Sequence, residues 1–323
     1  MSHPDLPSFA WTGSGLQRPE CVLATASGNL YVADWRGGVT RIRPDGGQAT
    51  YLAPEVDGIR LQPNGIALQP DGSFLIAHLG ADTGGVFRLD RTGNATPLLT
   101  RVDGVDLPPT NFVLPDAQGR LWVTVSTRLS PRARGYRRDV ADGFVVLVDP
   151  RGARIVADGL GYTNECVLDA QGQYLYVNET FGRRLSRFRV EPSGGLGPRE
   201  TVTEFGPGTF PDGLALDVEG YFWVTSIVSN RVIRVAPDGG QKILFDDCDA
   251  DALRETERAY EEGRMGREHL DRIDATRTLR NISSLAFGGA DLRTGYLGCL
   301  LGDRLATLAM PVAGHPPVHW NWG

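Results

Sequence analysis

The chain has 323 residues, a length that fits one repeat-built domain or two ordinary ones, and its formal charge at neutral pH is −6. Its 33 basic residues include no long basic run, which argues against a nucleic-acid partner because phosphate binding needs a clustered cationic surface. No apolar run reaches the roughly 18 residues of a membrane helix, so no membrane partner is expected.

Cysteine usage and the first residues bear on the cellular compartment. The residues from Met1 to Asp5 lack the basic and apolar regions of a signal peptide. The four cysteines show no CxxC pairing, and three of them lie in apolar runs; they are Cys21, Cys166, Cys248 and Cys299. This pattern predicts reduced, buried thiols in a cytoplasmic protein.

A short unit recurs along the chain. It opens on a polar residue, continues as a short apolar strand, passes a turn and enters a second strand, as in residues 211–224. The six openers are Glu20, Asn64, Asn111, Asn164, Asp212 and Ser283. The second strands are predicted to begin at Leu30, Phe74, Leu121, Leu175 and Phe222, and near Tyr296. The first five openers are 44 to 53 residues apart, which matches one four-stranded blade each.

Six such units predict an all-β fold, a six-bladed β-propeller formed by residues 1–323 as a single domain. A parallel α/β fold would need amphipathic helices between the strands, and only one plausible helix exists. A sandwich would not keep a polar opener in register six times. The terminal segments 9–12 and 317–320 lie outside the complete units, and we expect them to share the outer strands of one blade and so close the ring.

Two insertions interrupt the period. The first, residues 126–142, contains Arg128, Arg132, Arg134, Arg137 and Arg138. The second, residues 246–280, is predicted to be helical, with a thin apolar stripe made by Leu253, Tyr260, Leu270 and Ile273. A solvated excursion is the favoured interpretation of the helix, although it also offers a surface for a homo-oligomer. For the arginine loop, a solvated excursion and a position over the channel mouth both stay open.

In a propeller the first strand of each blade lines the central channel, so the six openers should meet at one end of it. The ends of the second strands return to the same face, at Asp34, His78, Val125, Glu179 and Ser226. Two carboxylates and three amides in one ring suit a hard divalent cation. Turn capping is the alternative for each opener alone, but Glu20 and Asn111 hold the register without a following glycine.

These segments together resemble the SMP-30/gluconolactonase/luciferin-regenerating family of six-bladed propellers, with fluorophosphatase-like enzymes as more distant relatives. The motifs that carry the resemblance are residues 18–20, 110–113, 119–124, 164, 175–180, 210–215 and 282–289. The resemblance implies one divalent metal ion bound by Glu20, Asn164 and Asp212, with Asn111 beside it as a ligand or substrate contact. Ca²⁺ is the first expectation, with Mg²⁺, Mn²⁺, Zn²⁺ and Fe²⁺ as alternatives. It also implies the hydrolysis of a lactone.

The chain departs from the family pattern at two positions. Pro109 stands where sugar lactonases often have an arginine, and Glu165 follows Asn164 in place of the usual glycine. The substrate is therefore expected to be a sugar lactone or a related cyclic ester, with loop arginines such as Arg138 reading a carboxylate or phosphate.

The expected mechanism uses the metal ion to polarise the lactone carbonyl, with Asp212 as general base or as nucleophile. Asn111 and Asn64 would contact the substrate, and His78 would act either as a proton relay or as a packed structural histidine. Asp34 and Glu179 are expected to support the ligands or to hold turns. A fluorophosphatase-like hydrolase and a non-catalytic binding scaffold are the rival functions.

Overall fold

Six four-stranded antiparallel sheets follow one another along the chain in a computed structural model that describes residues 6–272 and 276–322. The six sheets confirm the predicted six-bladed β-propeller. The first strand, β1 (Ala10–Thr12), belongs to the last sheet.

The strands of each blade run from the channel outward. Blade 1 is β2 (Val22–Ala24), β3 (Leu30–Asp34), β4 (Gly38–Ile42) and β5 (Gln48–Leu52); blade 2 is β6 (Pro63–Leu68), β7 (Phe74–His78), β8 (Val86–Leu89) and β9 (Ala95–Leu99). A small hairpin, β10 (Arg101–Val102) and β11 (Val105–Asp106), precedes blade 3, which is β12 (Thr110–Pro115), β13 (Leu121–Val125), β14 (Gly143–Asp149) and β15 (Gly152–Leu160). Blade 4 is β16 (Thr163–Leu168), β17 (Tyr174–Glu179), β18 (Arg184–Arg189) and β19 (Glu200–Glu204); blade 5 is β20 (Phe210–Leu216), β21 (Phe222–Ile227), β22 (Arg231–Val235) and β23 (Gln241–Asp246). Two helices follow, α1 (Ala250–Glu261) and α2 (Arg267–Leu270), and blade 6 is β24 (Ile282–Gly288), β25 (Thr294–Cys299) and β26 (Leu305–Ala309) with β1 outermost.

The first strands of the six blades contact one another in a closed ring around the axis, in the order β2, β6, β12, β16, β20 and β24. They approach so closely that a Cβ atom on Gly213 would lie 2.5 Å from the carbonyl oxygen of Ser283 on the next blade. Glycine at this position is therefore a requirement of packing. The apolar core lies between adjacent blades and not in one central mass.

The ring closes as expected at one terminus only. β1 pairs with β26 as the outermost strand of blade 6, with Trp11 opposite Ala306. The C-terminal segment 317–320 forms a turn and no strand, which corrects the prediction that both ends supply outer strands. Its residues instead line the channel at the end opposite the openers. With β1 as its outermost strand, blade 6 already has four strands, so the C-terminal segment is not needed to complete it.

The second insertion is helical over two short stretches and not throughout 246–280. Asp249 caps α1 by accepting hydrogen bonds from the backbone N–H groups of Asp251 and Ala252. Leu253, Tyr260 and Leu270 are buried against the propeller, while Ile273 lies outside the described residues. The interpretation of this helix as a solvated excursion is therefore wrong, because its apolar stripe packs within the same chain. A homo-oligomer through this insertion stays a prediction.

Three smaller sequence predictions have outcomes in the structure. Cys21, Cys166 and Cys299 are buried free thiols, as expected. No helix in the described part of the chain is long and apolar enough to cross a membrane. The second strand of blade 4 begins at Tyr174 and that of blade 6 at Thr294, within two residues of the predicted starts.

A buried aspartate ties the strands of blade 5 together. Asp217 accepts hydrogen bonds from the Trp223 indole at 2.9 Å and from both nitrogens of the Arg234 fork at 2.9 and 2.7 Å. Its other oxygen accepts the backbone N–H groups of Glu219 and Tyr221. Blade 3 repeats part of this arrangement, with Asp116 accepting from the indole of Trp122.

Asp217→Ala is expected to lower the free energy of unfolding by about 3–5 kcal/mol, because it leaves the buried indole of Trp223 without its acceptor and removes one of the two carboxylate partners of Arg234. Urea unfolding followed by tryptophan fluorescence measures the loss. Asp238→Ala, at an exposed turn of the same blade, is the matched control and should change stability by about 1 kcal/mol or less. Equal losses in the two variants would contradict the role given to Asp217.

Candidate active site

The openers sit at irregularities in the inner strands. The register between first and second strands shifts at Asn64, Asn111, Asn164, Asp212 and Ser283, which are the openers of five blades. A β-bulge re-aims side chains that regular pleating would direct into the sheet. The bulges therefore explain how residues at the starts of separate strands can face a common axis. We call this end of the channel the mouth.

Three amide oxygens at the mouth lack partners. The Oδ1 atoms of Asn64, Asn111 and Asn164 are buried without a hydrogen bond to the described residues. The Nδ2 groups of two of them are engaged: Asn64 donates to the backbone oxygen of Asn111 at 3.1 Å, and Asn164 donates to the hydroxyl of Thr180 at 3.0 Å. Buried polar atoms almost always have a hydrogen-bond partner. Three buried amide oxygens without one, all in one ring, therefore indicate a binding site for a cation or a hydrogen-bond donor.

Glu20 completes this ring in blade 1 and forms an ion pair with Arg18. The side chain of Arg18 is 9 % exposed and donates from Nε at 2.9 Å and from its terminal nitrogen at 2.8 Å, both to one Glu20 oxygen. Its guanidinium group lies 4.3 Å from the ring centre of Trp35. Arg18 lies in the 18–20 motif, but its backbone is left-handed, with a φ of 46°, so spacing alone could not predict that its side chain meets Glu20.

Asp212 occupies the same buried ring. Burial is the main cause that raises the pKa of Asp212 well above its usual range, and the negative charges of Glu20 and Glu165 raise it further. Arg18 and a hydrogen bond with Asn164 act in the opposite direction. Without a cation, the buried carboxyl groups therefore repel one another.

Glu165 lies on the channel side of blade 4, where the family pattern has glycine. Its side chain crosses to the next blade and accepts the backbone N–H of Leu214 at 2.8 Å. Burial raises the pKa of Glu165 to about 8, with Leu214 opposing and Glu20 adding to the shift. Away from the mouth, Glu165 borders a cavity of about 420 Å³ that extends to the C-terminal residues 315–319.

Aromatic side chains cover the mouth. Tyr136 stacks on Phe181 at 4.6 Å between ring centres, and Tyr162 meets both rings edge to face at 5.4 and 4.8 Å. Phe210 and Tyr260 extend the group, and the Tyr260 hydroxyl donates to the Phe181 backbone oxygen at 2.5 Å. We call these five residues the aromatic cluster. It joins both insertions to blades 4 and 5, where Tyr162 and Phe210 each stand two residues before an opener.

Two further arginines approach the mouth from the insertions. Arg132 lies in a short 3₁₀ turn (Arg132–Gly135) next to Tyr136, and Arg267 begins α2. Burial is the largest cause that lowers the pKa of Arg18, Glu20 opposes it, and repulsion by Arg267 and Arg132 lowers it further. The charges of Arg267 and Arg132 therefore act on Arg18. For the arginine loop, both interpretations stay predictions, since Arg132 is half-buried and Arg134 and Arg138 are exposed.

The remaining predicted site residues have other partners. Asp34 accepts hydrogen bonds from Arg36 and Thr40, and Glu179 accepts them from Gly161 and Ser186, so both hold turns and strands. The buried ring of His78 accepts the backbone N–H of Gln62 at 2.9 Å and contacts the hydroxyl of Thr83 at 3.3 Å. These contacts favour the structural alternative for His78. Arg138 is exposed.

The donor set fits a divalent cation. No group of three or more His, Cys, Asp or Glu side chains within residues 6–272 and 276–322 is arranged to hold a metal ion. A cation at the mouth must therefore use amide oxygens as well as the carboxylates of Glu20 and Asp212. The unpaired oxygens of Asn111 and Asn164 supply these, and an all-oxygen set suits a hard ion such as Ca²⁺.

Comparison with known proteins agrees with this architecture. Residues 18–245 match the sequence model of the SMP-30/Gluconolactonase/LRE-like region. A 6-deoxy-6-sulfogluconolactonase of Pseudomonas putida is 27% identical over 283 residues, which are 86% of this chain and 81% of that protein.

Solved structures share the fold. A gluconolactonase of Xanthomonas campestris superposes with a TM-score of 0.66 at 19% identity, over 96% of this chain and 91% of that one. A calcium-binding protein described as regucalcin, from Agrobacterium tumefaciens, superposes with a TM-score of 0.63 at 17% identity, over 96% and 93% of the two chains. At these identities the likeness concerns the fold alone.

Proposed function

Because the chain belongs to the SMP-30/gluconolactonase/LRE-like family, we propose that it is a divalent-metal-dependent hydrolase that opens a sugar lactone or a related cyclic ester. The relative from Pseudomonas putida is named a lactonase, which supports this reaction class. Ca²⁺ is the proposed ion because every donor in the ring is oxygen.

The observation that carries the proposal is the set of three buried, unpaired amide oxygens beside the carboxylates of Glu20 and Asp212. Glu20, Asn164 and Asp212 would hold the ion, and Asn111 would lie next to it as a ligand or substrate contact. A bound divalent cation polarises a carbonyl group and stabilises the negative charge that develops on its oxygen.

The protein's own residues would supply the remaining chemistry. Asp212 would accept a proton from the attacking water or attack the carbonyl carbon itself. Arg18 would fix the orientation of Glu20 through their two hydrogen-bonding contacts. The aromatic cluster would limit the access of bulk water. Asn64 would contact the substrate through its free amide oxygen.

A panel assay with elemental analysis tests the proposal. The purified protein is expected to contain about one divalent ion per chain, to open at least one aldonolactone and to lose this activity in EDTA. Adding back Ca²⁺, Mg²⁺, Mn²⁺ and Zn²⁺ separately identifies the ion that restores turnover. The panel should include a fluorophosphate triester, because turnover of that compound in place of lactones would favour the fluorophosphatase alternative. A metal-free protein with no activity after metal addition would overturn the proposal.

A further inference from the structure

We propose that Thr180 is a positioning residue of the mouth. Its hydroxyl group fixes the side-chain amide of Asn164 so that the amide oxygen is left for the cation, and it ties this amide to the strand that carries Asp212. This inference rests on the proposed cation site and names a residue that acts on the ion through Asn164. Thr180 follows β17 directly and is fully buried.

The hydroxyl group of Thr180 joins two neighbouring blades. It donates to the backbone oxygen of Pro211 on blade 5 at 2.7 Å, and it accepts a hydrogen bond from Nδ2 of Asn164 on blade 4 at 3.0 Å. A carbonyl oxygen can only accept, so the single hydroxyl hydrogen is committed to Pro211. The side of the hydroxyl group that faces Asn164 is therefore an acceptor.

This direction decides how the amide of Asn164 is turned. The nitrogen and the oxygen of a carboxamide group are nearly alike in shape, and the hydrogen-bond network distinguishes the two orientations. Because Thr180 presents an acceptor, the nitrogen of Asn164 faces it and Oδ1 points elsewhere. Oδ1 is buried without a partner among the described residues, so it is free to bind a cation.

Blade 4 also holds the backbone at Asp212. The register between β20 and β21 shifts within residues 211–214, which takes this segment out of the regular ladder. Nδ2 of Asn178 donates to the backbone oxygens of Asp212 at 3.1 Å and of Gly213 at 3.0 Å. With the bond from Thr180, side chains of blade 4 bind three successive carbonyl groups of this segment. The hydroxyl group of Thr180 therefore couples the amide ligand to the strand that presents the carboxylate.

Valine in place of Thr180 keeps the shape of the side chain and removes both hydrogen bonds. The amide of Asn164 then loses the acceptor that fixes its orientation, and it can turn its nitrogen toward the cation. Thr180→Val should therefore raise the Kd for Ca²⁺ by about 10- to 100-fold, which is the usual effect of removing a group that orients a metal ligand. Thr180→Ser keeps the hydroxyl group and should recover most of the affinity.

Thr203→Val is the matched control. Thr203 lies on the outermost strand of the same blade, and its hydroxyl group has the same two kinds of contact. It donates to the backbone oxygen of Gly239 at 2.9 Å and accepts from Nε2 of Gln241 at 2.7 Å. Both valine variants should therefore lose stability, whereas the Kd for Ca²⁺ should change in Thr180→Val alone.

Calorimetric titration of Ca²⁺ into the EDTA-treated protein measures the Kd, and thermal unfolding of the same preparations shows whether each variant is folded. An unchanged Kd in a folded Thr180→Val protein, or an equal rise in Thr203→Val, would overturn the inference while leaving the proposed function in place. The expected rise in Thr180→Val alone, in a protein whose wild type opens no lactone, would support the positioning role and refute the lactonase function.

Neutron diffraction from the metal-free wild type gives a second readout that needs neither a variant nor a bound ion. It distinguishes nitrogen from oxygen and locates deuterium directly. The expected density places the deuterated nitrogen of Asn164 against the Thr180 oxygen and the Thr180 deuterium on the line to Pro211. An Asn164 oxygen facing Thr180 would refute the inference even if every variant failed to fold.

Discussion

Asp212→Asn is expected to reduce the kcat/KM for lactone opening by about a hundred- to ten-thousand-fold. The substitution removes the buried carboxylate that would take up a proton or attack the carbonyl, and general-base catalysis contributes this much in enzymes. The amide keeps the size of the side chain and can still offer one oxygen, so the fold should persist. Lactone turnover and metal content are measured on the same preparation.

Two further variants separate the roles of Asp212. Glu20→Gln should weaken metal binding, and excess cation should restore much of its turnover because Glu20 has no proposed part in proton transfer. Excess cation should not restore Asp212→Asn. Ser283→Ala, in the sixth position of the ring, is the control and should retain turnover within about tenfold, since its hydroxyl donates at 3.2 Å to the backbone oxygen of Glu20. Full activity in a metal-loaded Asp212→Asn protein would eliminate Asp212 as base or nucleophile.

The repeat explains why so much of the fold could be predicted. Each unit places a polar residue at the start of an inner strand, and a blade cannot bury its faces without neighbours, so the spacing alone implies a closed ring. The openers lie within two residues of the starts of the inner strands, as the repeat predicts. The sequence contains no sign of the bulges, because a one-residue shift in register depends on how Gly213 and its equivalents meet the adjacent strand.

The insertions could not be placed from the sequence for a different reason. The apolar residues of α1 are few, and a helix with a thin stripe looks solvated when its partner is unknown. That partner is the aromatic cluster, which combines Tyr136, Phe181 and Phe210 from three different parts of the chain. The approach of Arg132 and Arg267 to Arg18 follows from this docking, so no local pattern could reveal it. The contact of Arg18 with Glu20 was also hidden, because it depends on the left-handed backbone at Arg18.

The metal-free protein should lose stability as the pH rises from about 6.5 to about 8, and the bound cation should remove most of this dependence. Below about 6.5 the trend is opposed by His78 and His319, because burial lowers the pKa of each to about 4 and their protonation favours the unfolded state. Burial raises the pKa of Glu165 to about 8, and burial with the charges of Glu20 and Glu165 raises that of Asp212. The ordinary pKa values of Glu165 and Asp212 are 4.5 and 3.8. At a pH between the ordinary pKa and the raised pKa of each group, the folded state binds more protons than the unfolded state. Their contribution is fully present at low pH and is lost as the carboxyl groups ionise.

Thermal unfolding after EDTA treatment, repeated across this pH range, measures the effect. Each group with a raised pKa should contribute a slope of about 1.4 kcal/mol per pH unit within its window. Saturating Ca²⁺ at about a thousand times its Kd should raise stability by about 4 kcal/mol. Glu165→Gln should reduce the slope of the metal-free protein, whereas Glu191→Gln, at an exposed position, should leave it unchanged. If the stability of the metal-free protein rises over the same range, folding does not raise the pKa of these carboxyl groups. The electrostatic argument for a cation at the mouth would then fail.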